Sequence, residues 1–153
     1  MTQFRPTIRV FWLLLTLCIL CACEKNVAAD EETKVLHTQL GDATYYANSF
    51  HGELTASGRK FDNRKAVAAH RWLPFGTVAR VTNLENGRTI NVVIVDRGPY
   101  GKNHREGAII DVSRAAAVKL RMIRDGQVRI RLEVLAWGDG ITHSRKANSH
   151  RAN

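Results

Sequence analysis

The chain has 153 residues, enough for one domain with a modest core, and 44% of its residues are hydrophobic. Its formal net charge of +9 favours an anionic partner. All three cysteines lie within the first 23 residues, which excludes a disulfide or a cysteine nucleophile in the rest of the chain.

The first 22 residues are typical of an export signal. Arg5 and Arg9 precede the apolar run "VFWLLLTLCILCAC", whose length fits a signal peptide and is short for a membrane span. An uncleaved membrane anchor is the alternative. Removing residues 1–22 takes away two arginines and no acidic residue, which lowers the net charge from +9 to +7. For an exported protein this charge indicates an anionic envelope polymer or a membrane surface as partner, and not nucleic acid.

Two polar segments flank the predicted domain, residues 40–138. Residues 23–39 are polar, include the acidic run "DEE" and have no helical or strand period, which predicts a flexible tether. Residues 139–153 are basic and aperiodic, which predicts a disordered tail.

Alternation of apolar and polar residues predicts several strands in this domain. The short stretch "ATYYA" favours a strand, and "TVARVTNL" alternates. The Asn86–Gly87 pair then predicts a hairpin turn before the partner strand "INVVIVD". A last strand, "QVRIRLEVLAW", has one apolar face formed by Val128, Ile130, Leu132 and Val134. Its arginines alternate with these residues, so its other face is expected to meet water.

A helix is predicted over "RAAAVKLRM". Ser113 precedes it as a capping residue, and Gly126 lies past its end, where a left-handed residue is favoured. Many short strands with one helix indicate a small closed barrel.

Two apolar runs end in carboxylates, Asp96 and Asp111. Asp96 precedes a Gly-Pro turn, and Asp111 precedes the helix cap, so both could serve local structure alone. The alternative is that the two carboxylates face each other across a cleft. The residues by themselves leave both interpretations open.

Histidines and aromatic residues give weaker indications. His70 ends the apolar run "AVAAH", where a hydrogen-bonded core residue is more common than a catalyst. His51, His70 and His104 have no metal-ligand spacing, so neither a metal nor a cofactor is implied. Four aromatic residues could stack on sugar rings, although packing roles are more common: Tyr45, Tyr46, Trp72 and Tyr100.

Five ordered blocks resemble the rare lipoprotein A family. They are "YYANSFHGELTASGRKFD", "AVAAHRWLPFGT", "ARVTNLENGR", "VDRGPY" and "AIIDVSRAAA", and the resemblance covers residues 41–137. The run "LCAC" also resembles the lipobox of bacterial lipoproteins, which implies lipidation of Cys23. Glu24 after that cysteine favours the outer membrane over the inner one.

The resemblance implies a mainly β fold, a six-stranded double-psi β-barrel with one or two short helices. It implies an endolytic lytic transglycosylase that acts on peptidoglycan glycan strands and leaves 1,6-anhydro ends. Separately from the resemblance, we expect a monomer. Asp96 would be the catalytic acid, with His70 holding Asp96 or a sugar hydroxyl. Asp111 is second, since the related expansins carry an Asp in the equivalent position. The implied substrate contacts are Glu53, Arg59, Asp62, Arg97 and Tyr100.

The block "HGELTASGRKFD" departs from the family pattern. Arg59 stands where the family has Glu, and Glu53 stands where it has a basic residue. If "LTASG" folds back as a turn, the two charges are neighbours and the pair is kept in reverse; otherwise the catalytic support is lost. An Arg beside Asp96 would favour its ionised form. The alternative function is therefore a non-catalytic, expansin-like peptidoglycan binder. A purely structural envelope lipoprotein would not need these polar residues at strand ends.

Overall fold

Six strands close into a barrel in the computed structural model, which describes residues 34–140. The strands are β1 (His37–Tyr45), β2 (Val67–His70), β3 (Val78–Asn83), β4 (Thr89–Asp96), β5 (Ala108–Val112) and β6 (Val128–Ala136). Their order around the barrel is β1-β5-β2-β4-β3-β6. Two short helices accompany them, α1 (Gly101–Arg105) and α2 (Arg114–Lys119), with a 3-10 turn at Asn48–Phe50. The predicted mainly β, six-stranded barrel is confirmed.

Several predicted segments lie outside the described residues. These are the signal peptide (1–22), Cys23, most of the tether (23–39) and most of the tail (139–153). β1 begins at His37, so the predicted boundary at residue 40 lies inside this strand. The side chains of residues 37–40 are largely exposed, so the sequence shows no strand pattern there. Their backbone pairing with β6, which begins with His37 and Val134, identifies them as a strand. No helix among residues 34–140 is long and apolar enough to cross a membrane.

Pairing around the barrel is mixed. β1 with β5 and β2 with β4 are parallel, and the other four pairs are antiparallel. β3 and β4 form the predicted hairpin, and Gly87 takes a positive φ of 72° in its turn. The side chain of Asn86 donates to the carbonyl of Leu120, which ties this turn to the segment after α2.

Alternation along β6 places its apolar face in the core. Val128, Ile130, Leu132 and Val134 are buried, as predicted. On the opposite face of β6, Arg129 forms an ion pair with Asp42 at 3.1 Å and Arg131 forms one with Glu133 at 3.5 Å. The outer face of this strand is therefore covered by ion pairs, while the inner face fills the barrel.

Helix α2 begins where the sequence predicts and ends differently. Ser113 Oγ accepts a hydrogen bond from the backbone of Ala116, as expected of the cap. The left-handed residue that closes the helix is Arg121, with φ 53°, because Met122 N–H bonds back to the carbonyl of Ala117. The prediction that Gly126 has this role is wrong; Gly126 closes the following turn, through its N–H to Met122.

We expect Arg121→Gly to stabilise the protein by about 0.5–1 kcal/mol. A side chain in the left-handed region carries a steric cost that glycine avoids, and the larger entropy of glycine in the unfolded chain offsets part of the gain. Urea unfolding measures the difference as a higher midpoint. Arg121→Lys keeps a Cβ and serves as the control, with an unchanged midpoint. A lower midpoint for the glycine variant would contradict this account of the helix end.

Candidate active site beside strand β2

The two carboxylates at the strand ends flank a single residue of β2. Ala69 pairs with Asp96 of β4 on one side and with Asp111 of β5 on the other. Adjacent strands lie roughly 4.8 Å apart, so the two backbone positions are about 10 Å from each other. The structure thus brings Asp96 and Asp111 to one edge of the barrel.

Three donors hold the carboxylate of Asp96. Its Oδ1 accepts from the backbone N–H of Ala56 and of Arg97, both at 2.8 Å. Its Oδ2 accepts from the hydroxyl of Tyr46 at 2.9 Å. Because two backbone donors occupy Oδ1, a proton on this carboxyl group belongs on Oδ2.

Tyr46 is a neutral donor to Asp96. Burial, and after it the neighbouring Asp96, raise the pKa of Tyr46 above its ordinary value. Its ring packs against Phe61 and Phe50, with centroids 4.3 and 5.3 Å away. The sequence groups Tyr46 with aromatic residues that could stack on sugars, and no local pattern distinguishes it, because Asp96 is 50 residues away.

Asp111 is partly buried in the same region. Burial raises its pKa, a hydrogen bond from Thr44 opposes this shift, and the charge of Asp96 adds to it. A Cβ added at Gly98 would lie 3.1 Å from Oδ2 of Asp111, so the loop after β4 packs closely on this carboxyl group. Asp111 does not line the cleft described next, and its catalytic role stays a prediction.

Asp96 lines an open cleft of about 470 Å³. The lining residues are Tyr46, Ser49, Phe50, Glu53, Leu54, Thr55, Phe61 and Asp96. Leu54 and Thr55 of this lining belong to the segment 54–60, which folds back on itself as predicted. Leu54 pairs with Lys60, and the N–H of Thr55 donates to the carbonyl of Arg59 at 2.8 Å. Ala56, whose N–H binds Asp96, lies at the tip of this turn.

Glu53 and Arg59 are not a reversed pair. Glu53 is opposite Phe61, whose N–H donates to its carbonyl at 2.8 Å, whereas Arg59 is opposite Thr55. This register makes the two charges diagonal neighbours, roughly 7–8 Å apart in the backbone, and no ion pair joins them among residues 34–140. The structure therefore does not have the reversed pair that was one of the two alternatives. Glu53 lines the Asp96 cleft and Arg59 does not.

The ring of His70 does not hold Asp96. Its Nδ1 accepts from the backbone N–H of Trp72 and Leu73, at 3.2 and 3.0 Å, so its Nε2 carries the proton and donates to Gln39 Oε1 at 3.1 Å. Burial, then the charges of Arg97 and His37, lower the pKa of His70 to about 4. A neutral, buried imidazole that orders the loop after β2 replaces the predicted contact with Asp96.

Arg97 is also directed inward. Its Nη1 donates to the carbonyls of His70 and Leu73, at 3.1 and 3.0 Å, and its guanidinium lies 3.7 Å from the ring centroid of Phe75. Arg97 therefore fixes the loop 70–75 to the end of β4. The expected role of Arg97 as a substrate contact is corrected accordingly.

Two predicted substrate residues remain, Asp62 and Tyr100, and the structure gives them different surroundings. Asp62 accepts from the backbone N–H of Arg64 at 3.0 Å, which lowers the pKa of this carboxyl group, and it stabilises a turn outside the cleft lining. Tyr100 is 60% exposed and stays a predicted substrate contact. Among residues 34–140, no three His, Cys, Asp or Glu side chains are grouped as metal ligands.

Comparison with known proteins identifies a family to which the chain is similar. Residues 38–132 match the family model described as "Lytic transglycolase", a double-psi β-barrel family. The chain is 50% identical over 98 residues to a probable endolytic peptidoglycan transglycosylase RlpA of Aquifex aeolicus, covering 64% of this chain and 42% of that protein. It is 54% identical over 90 residues to the Treponema pallidum protein of the same name, covering 59% of this chain and 27% of that protein.

The chain thus spans less than half the length of these two relatives. Among solved structures, an expansin of Clavibacter michiganensis is similar, with a TM-score of 0.50 and 21% identity, covering 65% of this chain and 51% of the expansin chain. That likeness concerns the fold alone. With its six-stranded double-psi β-barrel and the family match over residues 38–132, the chain belongs to the lytic transglycolase family.

Proposed function

We propose that the protein cleaves peptidoglycan glycan strands endolytically as a lytic transglycosylase, with Asp96 as acid and then base. The observation that carries this proposal is the position of Asp96 in an open cleft, with Oδ1 held by two backbone donors and Oδ2 left for the proton. Membership of the lytic transglycolase family and the names of the relatives support it.

The reaction needs only one carboxyl group that changes its protonation state. Protonated Oδ2 gives its proton to the glycosidic oxygen, and the C1–O bond breaks with its electron pair on that oxygen. The carboxylate then takes the proton of the sugar's own 6-hydroxyl, and the oxygen of this 6-hydroxyl bonds to C1. The products are a free hydroxyl on one fragment and a 1,6-anhydro ring on the other, and no water is consumed.

Tyr46 fits both protonation states of Asp96. Its hydroxyl donates to the carboxylate and can accept from the carboxylic acid by rotating its own proton. Because the pKa of Tyr46 is raised, it does not ionise in either state. Tyr46 thus orients Oδ2 towards the cleft through the cycle.

Mass spectrometry of purified sacculi incubated with the full-length chain tests the reaction type. Fragments with 1,6-anhydro ends support a lytic transglycosylase. Fragments with reducing ends and no anhydro ring would identify a hydrolase instead.

One feature favours a second function, a non-catalytic glycan binder of the expansin kind. Arg59 stands outside the cleft at the position where the family pattern has Glu, so the family's acidic residue is missing there. A chain that sediments with sacculi and releases no fragments supports this alternative.

For location, we propose a lipoprotein anchored through Cys23, facing the periplasm and held at the outer membrane. The export signal, the "LCAC" run and Glu24 support this placement. Several acyl chains on one cysteine make membrane anchoring stable.

We expect metabolic labelling with a palmitate analogue to mark the wild type and not Cys23→Ala. Cys18→Ala, which removes another cysteine of the same apolar run, should be labelled like the wild type. Equal labelling of the Cys23 and Cys18 variants would contradict lipidation at Cys23.

A further inference from the structure

A second pocket lies beside the loop after β2, apart from the cleft that Asp96 lines. Its volume is about 230 Å³, and its lining consists of Gln39, His70, Arg71, Trp72, His104 and Ile109. None of these side chains is acidic. His70 is neutral there, since burial lowers its pKa, so Arg71 supplies the fixed positive charge of the pocket.

Arg71 is held by groups that leave its charge uncompensated. Its guanidinium lies 4.9 Å from the ring centroid of Trp72 and 5.9 Å from that of Tyr100. Its Nη1 contacts Nε2 of His104, and its Nε is buried without an acceptor. Among residues 34–140, Arg71 forms no ion pair with a carboxylate. An anion bound in the pocket would give the guanidinium of Arg71 the ion-pair partner that it lacks.

The two aromatic rings beside Arg71 are open to solvent. Trp72 is 76% exposed and Tyr100 is 60% exposed, which is unusual for side chains of this size at neighbouring positions. The apolar faces of sugar rings pack on such surfaces. The rings and the cation together therefore match a sugar that carries a negative charge.

This surface adjoins the proposed catalytic group. Asp96 ends β4 four residues before Tyr100, and it pairs with Ala69, two residues before Arg71. Arg71 then connects Tyr100 to Trp72 through its two ring contacts. A glycan strand lying over Asp96 would extend onto this surface.

We propose that Arg71, Trp72 and Tyr100 form a subsite for a carboxylate-bearing sugar, with the sugar ring on the aromatic faces and the carboxylate on Arg71. The proposal rests on peptidoglycan being the substrate, as proposed above. In that polymer the carboxylate comes from the lactyl group of muramic acid where the stem peptide has been removed, or from the stem peptide itself. Both sources present the same chemistry to Arg71.

Binding of three probes to the full-length chain tests this subsite, in an Asp96→Asn background that prevents cleavage. The probes are glycan strands freed of stems by an amidase, strands with their stems, and chitin oligosaccharides of matched length, which carry no carboxylate. We expect Arg71→Gln to weaken binding of at least one anionic probe about tenfold while chitin binding is unchanged. A loss on the amidase-treated strands identifies the lactyl carboxylate, and a loss on stem-bearing strands alone identifies the peptide. Trp72→Ala should weaken all three probes to a similar degree, because stacking ignores charge.

Arg88→Gln is the matched control, since it removes the same charge from the turn at the other end of β4. The subsite is refuted if Arg71→Gln binds both anionic probes like the parent, if it loses chitin equally, or if Arg88→Gln causes the same loss. Unchanged binding by Trp72→Ala would refute the stacking. Thermal unfolding confirms that each variant is folded. These readouts are independent of cleavage: a wild type that releases no anhydro ends refutes the proposed function, while the binding comparison still decides the subsite.

Discussion

Asp96→Asn is expected to abolish the release of 1,6-anhydro ends from sacculi while the barrel stays folded. The amide cannot donate and recover a proton as a carboxyl group does, and loss of a general acid–base group costs roughly 10²–10⁴-fold in rate. The hydrogen bonds that hold the side chain can survive. An Asn oxygen can accept from the N–H of Ala56 and Arg97, and its amide nitrogen can donate to Tyr46.

The measurement is the yield of anhydro-muropeptides by mass spectrometry, together with the midpoint of thermal unfolding. Asp125→Asn is the matched control, because Asp125 is exposed and does not line the Asp96 cleft. It should cleave like the wild type. Undiminished cleavage by Asp96→Asn would remove Asp96 from the mechanism.

Glu53→Gln is expected to lower the rate of cleavage on the order of 10²-fold with little change in substrate affinity. Glu53 lines the same cleft as Asp96, and the sugar acquires positive charge in the transition state, which a nearby carboxylate stabilises. Gln keeps the size and the hydrogen-bonding capacity of the side chain and removes only its charge. Single-turnover rates on isolated glycan strands, measured beside equilibrium binding, separate the two effects.

Arg59→Gln is the control for this experiment, because Arg59 lies outside the cleft lining and its loss should leave the rate unchanged. If the two charges were a reversed pair, exchanging them, Glu53→Arg with Arg59→Glu, would keep activity. The structure reverses this expectation, since the exchange puts a cation beside Asp96. An active double variant would show that the two positions are equivalent despite their diagonal register. If wild type and Glu53→Gln are both inert yet sediment with peptidoglycan, the binder alternative replaces the enzyme.

Local chemistry was sufficient to predict most of the barrel's elements. Alternation identified β3 and β6, because a strand with one face in the core repeats every two residues, and the Asn86–Gly87 turn identified β4 as the partner of β3. Ser113 identified the start of α2, because its hydroxyl satisfies a nearby backbone N–H. The end of α2 was mispredicted, since the position of the left-handed residue depends on where Met122 is buried and not on where a glycine occurs.

By itself the sequence determined that the chain carries strands of a small barrel and a carboxylate at the end of a buried strand. Only the tertiary structure decided which groups surround that carboxylate. Ala56 and Tyr46, which hold Asp96, are 40 and 50 residues away from it, and Thr44 is 67 residues from Asp111. Asp96 and Asp111 flank Ala69 because β2 pairs in parallel with β4 and antiparallel with β5. Such pairings join distant segments through backbone hydrogen bonds, which leave no periodic trace in the side chains. For the same reason only the folded barrel shows that the side chains of His70 and Arg97 point inward. It alone also shows that Glu53 and Arg59 are diagonal to each other.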